Sequence, residues 1–392
     1  MKDVCIIGAG MHPWGKFPDK SFEELGIFAV REAFKDAGVE WKDIQFMACS
    51  SLTWEGMMGI VGGNSISDAL GGRGIPVQNC HNACATSGSV LRACCQAVAS
   101  GSADLALALG VDKSPGGFFP VVAPNPTDLD FRRLRAVGIP NPSYWALMLR
   151  RRMAEFGTTE VHLAKIKVKN SKHGVHNPNA RFRREFTLEE VLASPMVTDP
   201  LRLYEICATG DGAAAVVVCS KDMARRLTNK PIIVAGCSLS SAMFGDPNIP
   251  IPRLSTTARP TAPALSESVS AAKLAYEEAG IGPGDVDFAE LPDNSSWHEL
   301  VYTEIAGFAK PGEAERLLDE GATSLGGRFP INPSGGSSSM GEAPGAQGLA
   351  MVCELVLQLR GQAGLRQVEG AKVGYSQVYG AQGCNSAVIL KI

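Results

Sequence analysis

The sequence predicts an α/β protein made of two duplicated βαβαβ halves, arranged as five α/β/α/β/α layers with a loop insertion. Three observations predict this fold: a segment that occurs twice, a glycine-rich loop before a helix in each half, and a central stretch of different composition. Strands that alternate with helices are typical of parallel sheets covered on both faces. We therefore expect helices from both halves to begin near one shared site.

The repeat is carried by AVREAFKDAGVEWKDIQF at residues 29–46 and AAKLAYEEAGIGPGDVDF at residues 271–288. Phe46 matches Phe288 and Gly38 matches Gly280 at one offset, since 288 − 46 = 242 and 280 − 38 = 242. Each copy predicts an amphipathic helix that ends at a glycine, then a turn, then a strand. A register that holds through helix, turn and strand indicates internal duplication.

The domain organisation follows from the repeat. Residues 1–112 and 197–240 are predicted to form the N-terminal half, and residues 241–392 the C-terminal half. Residues 113–196, rich in Arg, Lys, Pro and aromatic side chains, are predicted to be an insertion of loops and helices over the active site. A local basic cluster in a chain of net charge −3 favours a phosphate-bearing ligand.

Composition and charge exclude several classes of function. A net charge of −3 gives no basic field for nucleic acid, and no apolar run is long enough to cross a membrane. With no apolar leader, the eleven cysteines are expected to be reduced thiols of a cytoplasmic protein. The cysteines around residue 84 lack the spacing of a zinc site, so we predict no bound metal.

One cysteine stands where chemistry is expected. Cys84 lies in NACATSGS, where a strand leads into a helix. Backbone N–H groups and the helix dipole at such a place stabilise a thiolate. The small residues Ala83, Ala85, Ser87 and Gly88 are expected to leave room for a substrate. Buried cysteines also serve as small core residues, and that interpretation is the better one for Cys94, Cys95, Cys207, Cys219 and Cys353.

Five segments together resemble the thiolase superfamily, in particular the lipid-transfer-protein or sterol-carrier-protein type of thiolase. Their order and their spread over nearly the whole chain match that family. The segments are NACATSGSVLRACCQAV, KNSKHGVHNPNA, ICATGDGAAAVVVCS, ELPDNSSWHELVYTEIAG and NPSGGSSSMGEAPGAQGLA.

The resemblance implies a thiolase fold, a homodimeric core and acyl-CoA substrates, with coenzyme A as a substrate and no cofactor or metal on this chain. It implies that Cys84 attacks the 3-keto carbon of a 3-ketoacyl-CoA and that free CoA releases the resulting acyl-enzyme. The enolate formed on cleavage needs backbone N–H donors, for which the loop YGAQGCNSAV with Gly383 is the candidate.

The chain departs from the family pattern at two motifs. Glu342 occupies the place of the histidine that normally activates the nucleophile. Pro292 and Asn294 occupy the places of a second histidine and of a proton-shuttling cysteine. In an atypical thiolase, Glu342 would serve as base or acid with a raised pKa, and Asn294 would orient a water or an oxyanion.

Two alternatives stay open beside the thiolase. Relatives in steroid degradation are retro-aldolases that cleave a side-chain 3-hydroxyacyl-CoA without a covalent cysteine, and His298, Tyr302 or Tyr379 would then be the acid or base. A degenerate thiolase would instead carry lipid or acyl-CoA without catalysis. Retention of the whole cysteine segment favours the thiolase.

The resemblance also suggests ligands and partners. Several relatives act on bulky aromatic or branched 3-ketoacyl-CoAs, benzoylsuccinyl-CoA of anaerobic aromatic degradation among them, and several work beside a small zinc-ribbon and OB-fold subunit. Aromatic and methionine side chains near the site are candidates for the acyl pocket: Trp54, Met57, Met58, Phe118, Phe119, Tyr144 and Trp145. The residues predicted to bind CoA are Lys169, Lys172, His173, Arg181, Arg183, Arg184, Ser334 and Gly335, with His176 as a lesser candidate.

Overall fold

The computed structural model of the 392-residue chain describes residues 4–54, 57–58, 61–114, 140–228, 230–241, 266–380 and 383–392. The first half supplies β1 Val4–Gly15, α1 Phe22–Ala37, β2 Phe46–Ser50, β3 Thr53–Trp54, β4 Met57–Met58, α2 Gly62–Ala69, β5 Val77–Cys80, α3 Thr86–Ala99 and β6 Leu105–Lys113.

The middle of the chain supplies α4 Asn141–Phe156, α5 Glu160–Gly174, α6 Leu188–Leu192, β7 Met196–Thr198, β8 Leu201–Arg202, β9 Asp211–Ser220, α7 Lys221–Leu227 and β10 Ile232–Ser241. The remaining elements are α8 Ser266–Ala279, β11 Phe288–Glu290, α9 Ser296–Ile305, α10 Ala314–Asp319, α11 Gly336–Met340, α12 Gln347–Leu359, β12 Val373–Gly380 and β13 Cys384–Lys391.

The main sheet runs in the order β11-β12-β13-β10-β1-β9-β6-β2-β5. Parallel pairing is found where a helix connects the strands, as in β2 with β5, β2 with β6 and β11 with β12. The expectation of parallel sheets is met only by these pairs, because β9 runs antiparallel to β1 and β6, and β13 antiparallel to β10 and β12. β12 and β13 are consecutive in the chain and pair antiparallel from Val373 with Lys391 to Gly380 with Cys384.

Helices cover the sheet in layers. α1 packs on β1, β6 and β9, and α8 packs on β10 and β13, so each half has its own outer helix. α3 and α12 contact each other and strands of both halves, and they form the central layer. The halves join at β1 and β10 through the pairs Cys5 with Ile233 and Ile6 with Ile232. This arrangement confirms the predicted duplicated α/β fold.

The predicted repeat is present in the structure. α1 and α8 both end at a glycine in the left-handed conformation, with φ of 67° at Gly38 and at Gly280. β2 begins at Phe46 and β11 at Phe288, which preserves the offset of 288 − 46 = 242 residues. The repeat therefore reflects one folding unit used twice.

The two halves divide differently from the sequence prediction at one strand. β10 pairs with β13 from Ile233 to Ser241 but meets β1 at two registered pairs, so it belongs with the C-terminal half. The predicted 197–240 segment therefore contributes β9 to the first half and β10 to the second. β9 and β10 are both apolar strands, and composition alone does not reveal which sheet takes each one.

The helical part of the predicted insertion packs on the C-terminal half. Trp145 and Leu149 of α4 form one buried cluster with Ile166 of α5 and Trp297 and Leu300 of α9. Close packing of this cluster excludes water between α4, α5 and α9. Residues 115–139, which include Phe118 and Phe119, lie outside the described residues.

Candidate active site

Cys84 lies in a tight turn between β5 and α3, two residues before the helix begins. Ala83 has a positive φ of 46°, which costs a non-glycine residue roughly 1–2 kcal/mol. The Thr86 hydroxyl accepts the N–H of Asn82 at 2.7 Å and closes the turn. A strained turn maintained by such a contact is typical of functional sites.

The small residues beside Cys84 have a packing role. A side chain at Gly88 would clash with Ser386 of β13, and a side chain at Gly348 would clash with Ser87. Ala85, Ser87 and Gly88 are buried, so the expectation that they leave room for substrate is wrong for these three. They let α3 approach α12 and β13 closely, while Ala83 and Cys84 retain partial exposure.

The end of β12 lies directly against this turn. A Cβ atom at Gly380 would lie 2.8 Å from the Asn82 carbonyl oxygen and 3.0 Å from the Ala85 nitrogen. Gly383, the candidate oxyanion donor, follows three positions later with a left-handed φ of 75°. Residues 381–382 between them lie outside the described residues. The predicted oxyanion loop thus begins near Cys84, and the role of Gly383 stays a prediction.

Glu342 reaches the same place from the C-terminal half. It follows α11 and Gly341, whose φ of 91° lets the chain turn sharply. Its N–H donates to the Ala208 carbonyl at 2.8 Å, and its carbonyl accepts the Gly210 N–H at 2.7 Å. These two bonds fix the Glu342 backbone against the segment that precedes β9.

The Glu342 carboxylate lies between two thiols and an amide. Cys84 Sγ lies 4.0 Å from Oε1, and Asn294 Nδ2 donates to the same oxygen at 2.9 Å. Cys207 Sγ lies 3.3 Å from the other oxygen, Oε2. Burial of this carboxyl raises its pKa to about 7, with a further upward push from the nearby charge of Asp112. A group that titrates near neutrality can accept and return a proton.

The segment that carries Asn294 is organised around this carboxylate. Asn294 uses its amide on Glu342, and its carbonyl accepts the Cys207 N–H at 2.9 Å. The expected use of Asn294 to orient a water or an oxyanion stays a prediction. Its neighbour Asp293 accepts the Ser338 N–H at 3.1 Å and so holds the loop that leads to Glu342.

Four of the residues predicted to bind CoA are structural. The Lys169 ammonium donates to Glu299 at 2.6 Å in a fully buried ion pair, and the buried His173 contacts the Asn332 carbonyl at 2.9 Å. The Ser334 hydroxyl donates to Glu290 at 2.6 Å, and Gly335 packs against the backbone of α5. These contacts do not support the CoA prediction for the four residues, because the two motifs that contain them bind α5 to the C-terminal half.

The other side chains predicted to bind CoA are more accessible to solvent than Lys169 and His173. Lys172, His176 and Arg183 are exposed to solvent. Arg184 is also exposed, with its guanidinium 3.1 Å from Glu190. Arg181 is half-buried and donates to the Thr209 carbonyl at 2.6 Å. Thr209 in turn forms an isolated β-bridge with Glu342. These side chains stay the candidates for CoA phosphates.

The alternative acid and base residues form a buried aromatic stack. His298 stacks on Tyr379 with ring centroids 4.7 Å apart, and burial lowers the His298 pKa to about 3. Tyr302 is buried and its hydroxyl lies 2.9 Å from the Ser268 hydroxyl. Burial raises the pKa of Tyr379 well above its ordinary value, with additional contributions from the charges of Glu342 and Cys84. Of the three, Tyr379 is the one whose titration is coupled to Cys84 and Glu342.

Sequence reasoning missed Cys207. It was interpreted as a core residue, and it is buried, but its thiol contacts Glu342. No spacing rule points to it, because Cys207 and Glu342 lie 135 residues apart. Trp145, a candidate for the acyl pocket, belongs to the buried α4 cluster, and the side chains of Trp54, Met57 and Met58 lie outside the described residues.

No described helix has both the length and the apolar composition needed to cross a bilayer. In the part of the chain that the structure describes, His, Cys, Asp and Glu side chains form no group of three suited to a metal ion.

The fold and site define an enzyme-like α/β protein with a cysteine before one helix and a carboxyl group from the opposite half. Residues 4–222 match the thiolase N-terminal domain family, and residues 253–391 match the thiolase C-terminal domain-like family. The chain belongs to the thiolase family, and its acyltransferase relatives support an enzyme.

The relatives extend over the whole chain. It is 37% identical to the acetyl-CoA acetyltransferase of Methanothermobacter thermautotrophicus over 99% of both chains. It is 33% identical to sterol carrier protein 2 of Bos taurus, over 99% of this chain and 72% of that one. It is 34% identical to the benzoylsuccinyl-CoA thiolase subunit BbsB of Thauera aromatica, over 98% of this chain and 96% of that one.

Among solved structures, the Ltp2-ChsH2(DUF35) aldolase superposes with a TM-score of 0.83 at 25% identity, over 99% of this chain and 97% of that one. The predicted thiolase fold of the sterol-carrier type is confirmed by these comparisons.

Proposed function

We propose that this chain is an atypical thiolase that cleaves a 3-ketoacyl-CoA with free CoA through an acyl-enzyme on Cys84. The observation that carries the proposal is the 4.0 Å approach of the Cys84 thiol to the Glu342 carboxylate. A thiol beside a buried carboxyl with a pKa near 7 has a proton acceptor in place of the usual histidine.

The first half-reaction begins with proton transfer from Cys84 to Glu342. The thiolate adds to the 3-keto carbon, the bond between C2 and C3 breaks, and its electron pair moves to C2 as the enolate of the departing acyl-CoA. Protonated Glu342 returns its proton to C2, and the acyl group stays on Cys84 as a thioester. The backbone N–H of Gly383 would stabilise the enolate oxygen.

The second half-reaction restores the enzyme. The thiol of free CoA loses its proton to Glu342, and its sulfur adds to the acyl carbon on Cys84. The bond from that carbon to Sγ breaks, and the Cys84 thiolate recovers a proton from Glu342. One carboxyl group thus handles the proton in both half-reactions, which suits a pKa close to neutrality.

For the substrate we propose a bulky aromatic or branched 3-ketoacyl-CoA, with benzoylsuccinyl-CoA of anaerobic aromatic degradation as one example. The proposal is supported by the 34% identity to the BbsB subunit. We further propose a homodimeric core that works beside a small zinc-ribbon and OB-fold subunit. A partner chain is supported by two similar proteins: BbsB is named as a subunit of its thiolase, and the name of the Ltp2-ChsH2(DUF35) aldolase joins two components.

The test is CoA-dependent cleavage of benzoylacetyl-CoA, followed by chromatography of the products. The proposal requires benzoyl-CoA and acetyl-CoA in equal amounts when free CoA is present. Without free CoA, it requires cleavage to stop after one acetyl-CoA has been released per chain. Cys84→Ala should abolish the reaction, while Cys219→Ala, a buried cysteine in β9, should retain it as the matched control. Equal activity of the Cys84→Ala and wild-type proteins would contradict the proposal.

A retro-aldolase acting on a side-chain 3-hydroxyacyl-CoA of the steroid-degradation type is the second candidate. Tyr379 favours it, because this phenol is coupled to the charges of Glu342 and Cys84 and needs no covalent cysteine to act. Similarity to the Ltp2-ChsH2(DUF35) aldolase supports it as well. In that case Cys84→Ala retains cleavage of a 3-hydroxyacyl-CoA, while Tyr379→Phe loses it.

A further inference from the structure

Cys207 lies in the segment that leads into β9 and is buried, with 6% of its surface exposed. Its backbone N–H donates to the Asn294 carbonyl at 2.9 Å, which fixes the position of the residue. Its Sγ lies 3.3 Å from Glu342 Oε2 and 3.9 Å from Asn294 Nδ2. A thiol with two polar neighbours at these distances differs from one that only fills space.

The contacts of the carboxylate divide between its two oxygens. Oε1 receives the amide of Asn294 at 2.9 Å and faces Cys84 at 4.0 Å. Oε2 receives the thiol of Cys207 at 3.3 Å. Rotation of the carboxylate out of its plane would break both the Asn294 and Cys207 contacts, so the pair fixes the orientation in which one oxygen faces Cys84.

We propose that Cys207 is a positioning residue whose S–H donates to Glu342 Oε2 and keeps the carboxylate directed at Cys84 in its ionised, proton-accepting form. This inference rests on the proposed role of Glu342 as the base for Cys84. A buried acceptor that loses its donor bears a desolvation cost, and the ionised form suffers most. Loss of the Cys207 thiol therefore raises the Glu342 pKa and leaves a smaller fraction of this carboxyl ionised to accept the Cys84 proton at neutral pH.

Burial determines that Cys207 is the donor and Glu342 the acceptor in this contact. Burial raises the pKa of Cys207 well above its ordinary value, and the neighbouring Glu342 charge raises it further. Cys207 is therefore a protonated donor across the neutral range. The charged and titratable groups that face Glu342 or Cys207 from the surrounding elements are Cys84, Asp112, Lys167, Arg181, Asp293 and Tyr379. Substitutions at position 207 leave all of them in place.

The experiment compares Cys207→Ala, Cys207→Val and Cys207→Ser with wild type. Alanine and valine remove the donor, with valine filling more of the space, and serine restores a hydroxyl donor. The first readout is the rate at which iodoacetamide alkylates Cys84 as pH increases, located by peptide mass spectrometry. This readout requires no turnover, and Cys219→Ala is the matched control for loss of a buried thiol.

We expect the Glu342-dependent inflection of the alkylation profile to move upward by about one pH unit in the alanine and valine variants. The serine variant should show an inflection at or below the wild-type value, and Cys219→Ala should match wild type. An unchanged inflection in a folded alanine or valine variant overturns the proposal. Failure of serine to restore the inflection overturns it as well.

The second readout separates this inference from the proposed function. The pH profile of kcat for benzoylacetyl-CoA cleavage should show its acidic limb moved in the same direction, with KM affected less than kcat. If the alkylation inflection moves in the alanine and valine variants but the wild-type protein does not cleave 3-ketoacyl-CoA, the role of Cys207 is supported and the thiolase is overturned. Normal cleavage with an unmoved inflection supports the thiolase and overturns the role of Cys207.

Discussion

The thiol of Cys84 lies 4.0 Å from the carboxylate of Glu342, although 258 residues separate them in sequence. Cys84 precedes a helix of the first half, and Glu342 follows a short helix of the second half. Their meeting is a consequence of the internal duplication, because α3 and α12 pack together in the central layer. The site thus combines one reactive group from each half.

Replacement of the Glu342 carboxyl by an amide of nearly the same size should remove the proposed base and preserve the packing around it. Glu342→Gln is expected to lower kcat at least ~10²-fold, because the amide cannot accept the Cys84 proton. Steady-state kinetics with a 3-ketoacyl-CoA, accompanied by thermal unfolding, measures the effect. Near-full activity with only a lower Tm would mean that Glu342 is structural and that another group moves the proton.

The same substitution should change how stability depends on pH. Burial raises the folded pKa of Glu342 to about 7, whereas an unfolded glutamate titrates near 4.5. Between these values the unfolded chain releases a proton that the folded one retains, so wild type loses stability as pH increases through this window. Glu342→Gln should gain stability relative to wild type from pH 5 to 8, by up to about 3 kcal/mol. Urea unfolding of both proteins at each pH measures this difference in the free energy of unfolding. A difference that stays constant from pH 5 to 8 would contradict the raised pKa.

Lys169 should affect folding and leave CoA recognition unchanged. Lys169→Ala leaves Glu299 buried without its cation and is expected to lower the free energy of unfolding by about 3–5 kcal/mol. Lys172→Ala on the same helix is the matched control, because this exposed residue should change stability by less than about 0.5 kcal/mol. Denaturant unfolding measures both. Undiminished stability of Lys169→Ala with loss of CoA binding would restore the original prediction.

The exposed arginines should contribute to CoA binding. The double variant Arg183→Ala, Arg184→Ala is expected to weaken CoA about tenfold, since each guanidinium can contact phosphate. Affinity should also fall with salt, because exposed charges are screened. Isothermal titration calorimetry tests both points, with Arg225→Ala, Arg226→Ala on the exposed face of α7 as a control of equal charge. Equal affinities of the two double variants would place the CoA phosphates elsewhere.

Much of the fold was predictable because it repeats. The left-handed glycines at Gly38 and Gly280 end equivalent helices, and a glycine at such a position is visible in the sequence. The antiparallel strands β9 and β13 were not predictable, because periodicity identifies a strand without giving its direction. The boundary between the halves at β10 was missed for the same reason.

The candidate site was predictable where a residue belongs to a motif, and Cys84 and Glu342 are such residues. The buried ion pair of Lys169 was not predicted because a cation in a conspicuous motif is compatible with a ligand or with a buried partner, and Glu299 lies 130 residues away. Cys207 was missed because its contact with Glu342 depends on tertiary packing. Burial and partner identity are properties of the folded chain that composition does not encode.

The measurement that tests the account most directly is the intact mass of the protein after incubation with benzoylacetyl-CoA in the absence of free CoA. The account predicts one benzoyl group per chain, located on Cys84 by peptide mapping, absent in Cys84→Ser treated identically, and released from wild type when CoA is added. An unmodified wild-type protein that still cleaves its substrate, or an adduct that persists in Cys84→Ser, would contradict the claim that Cys84 is the nucleophile.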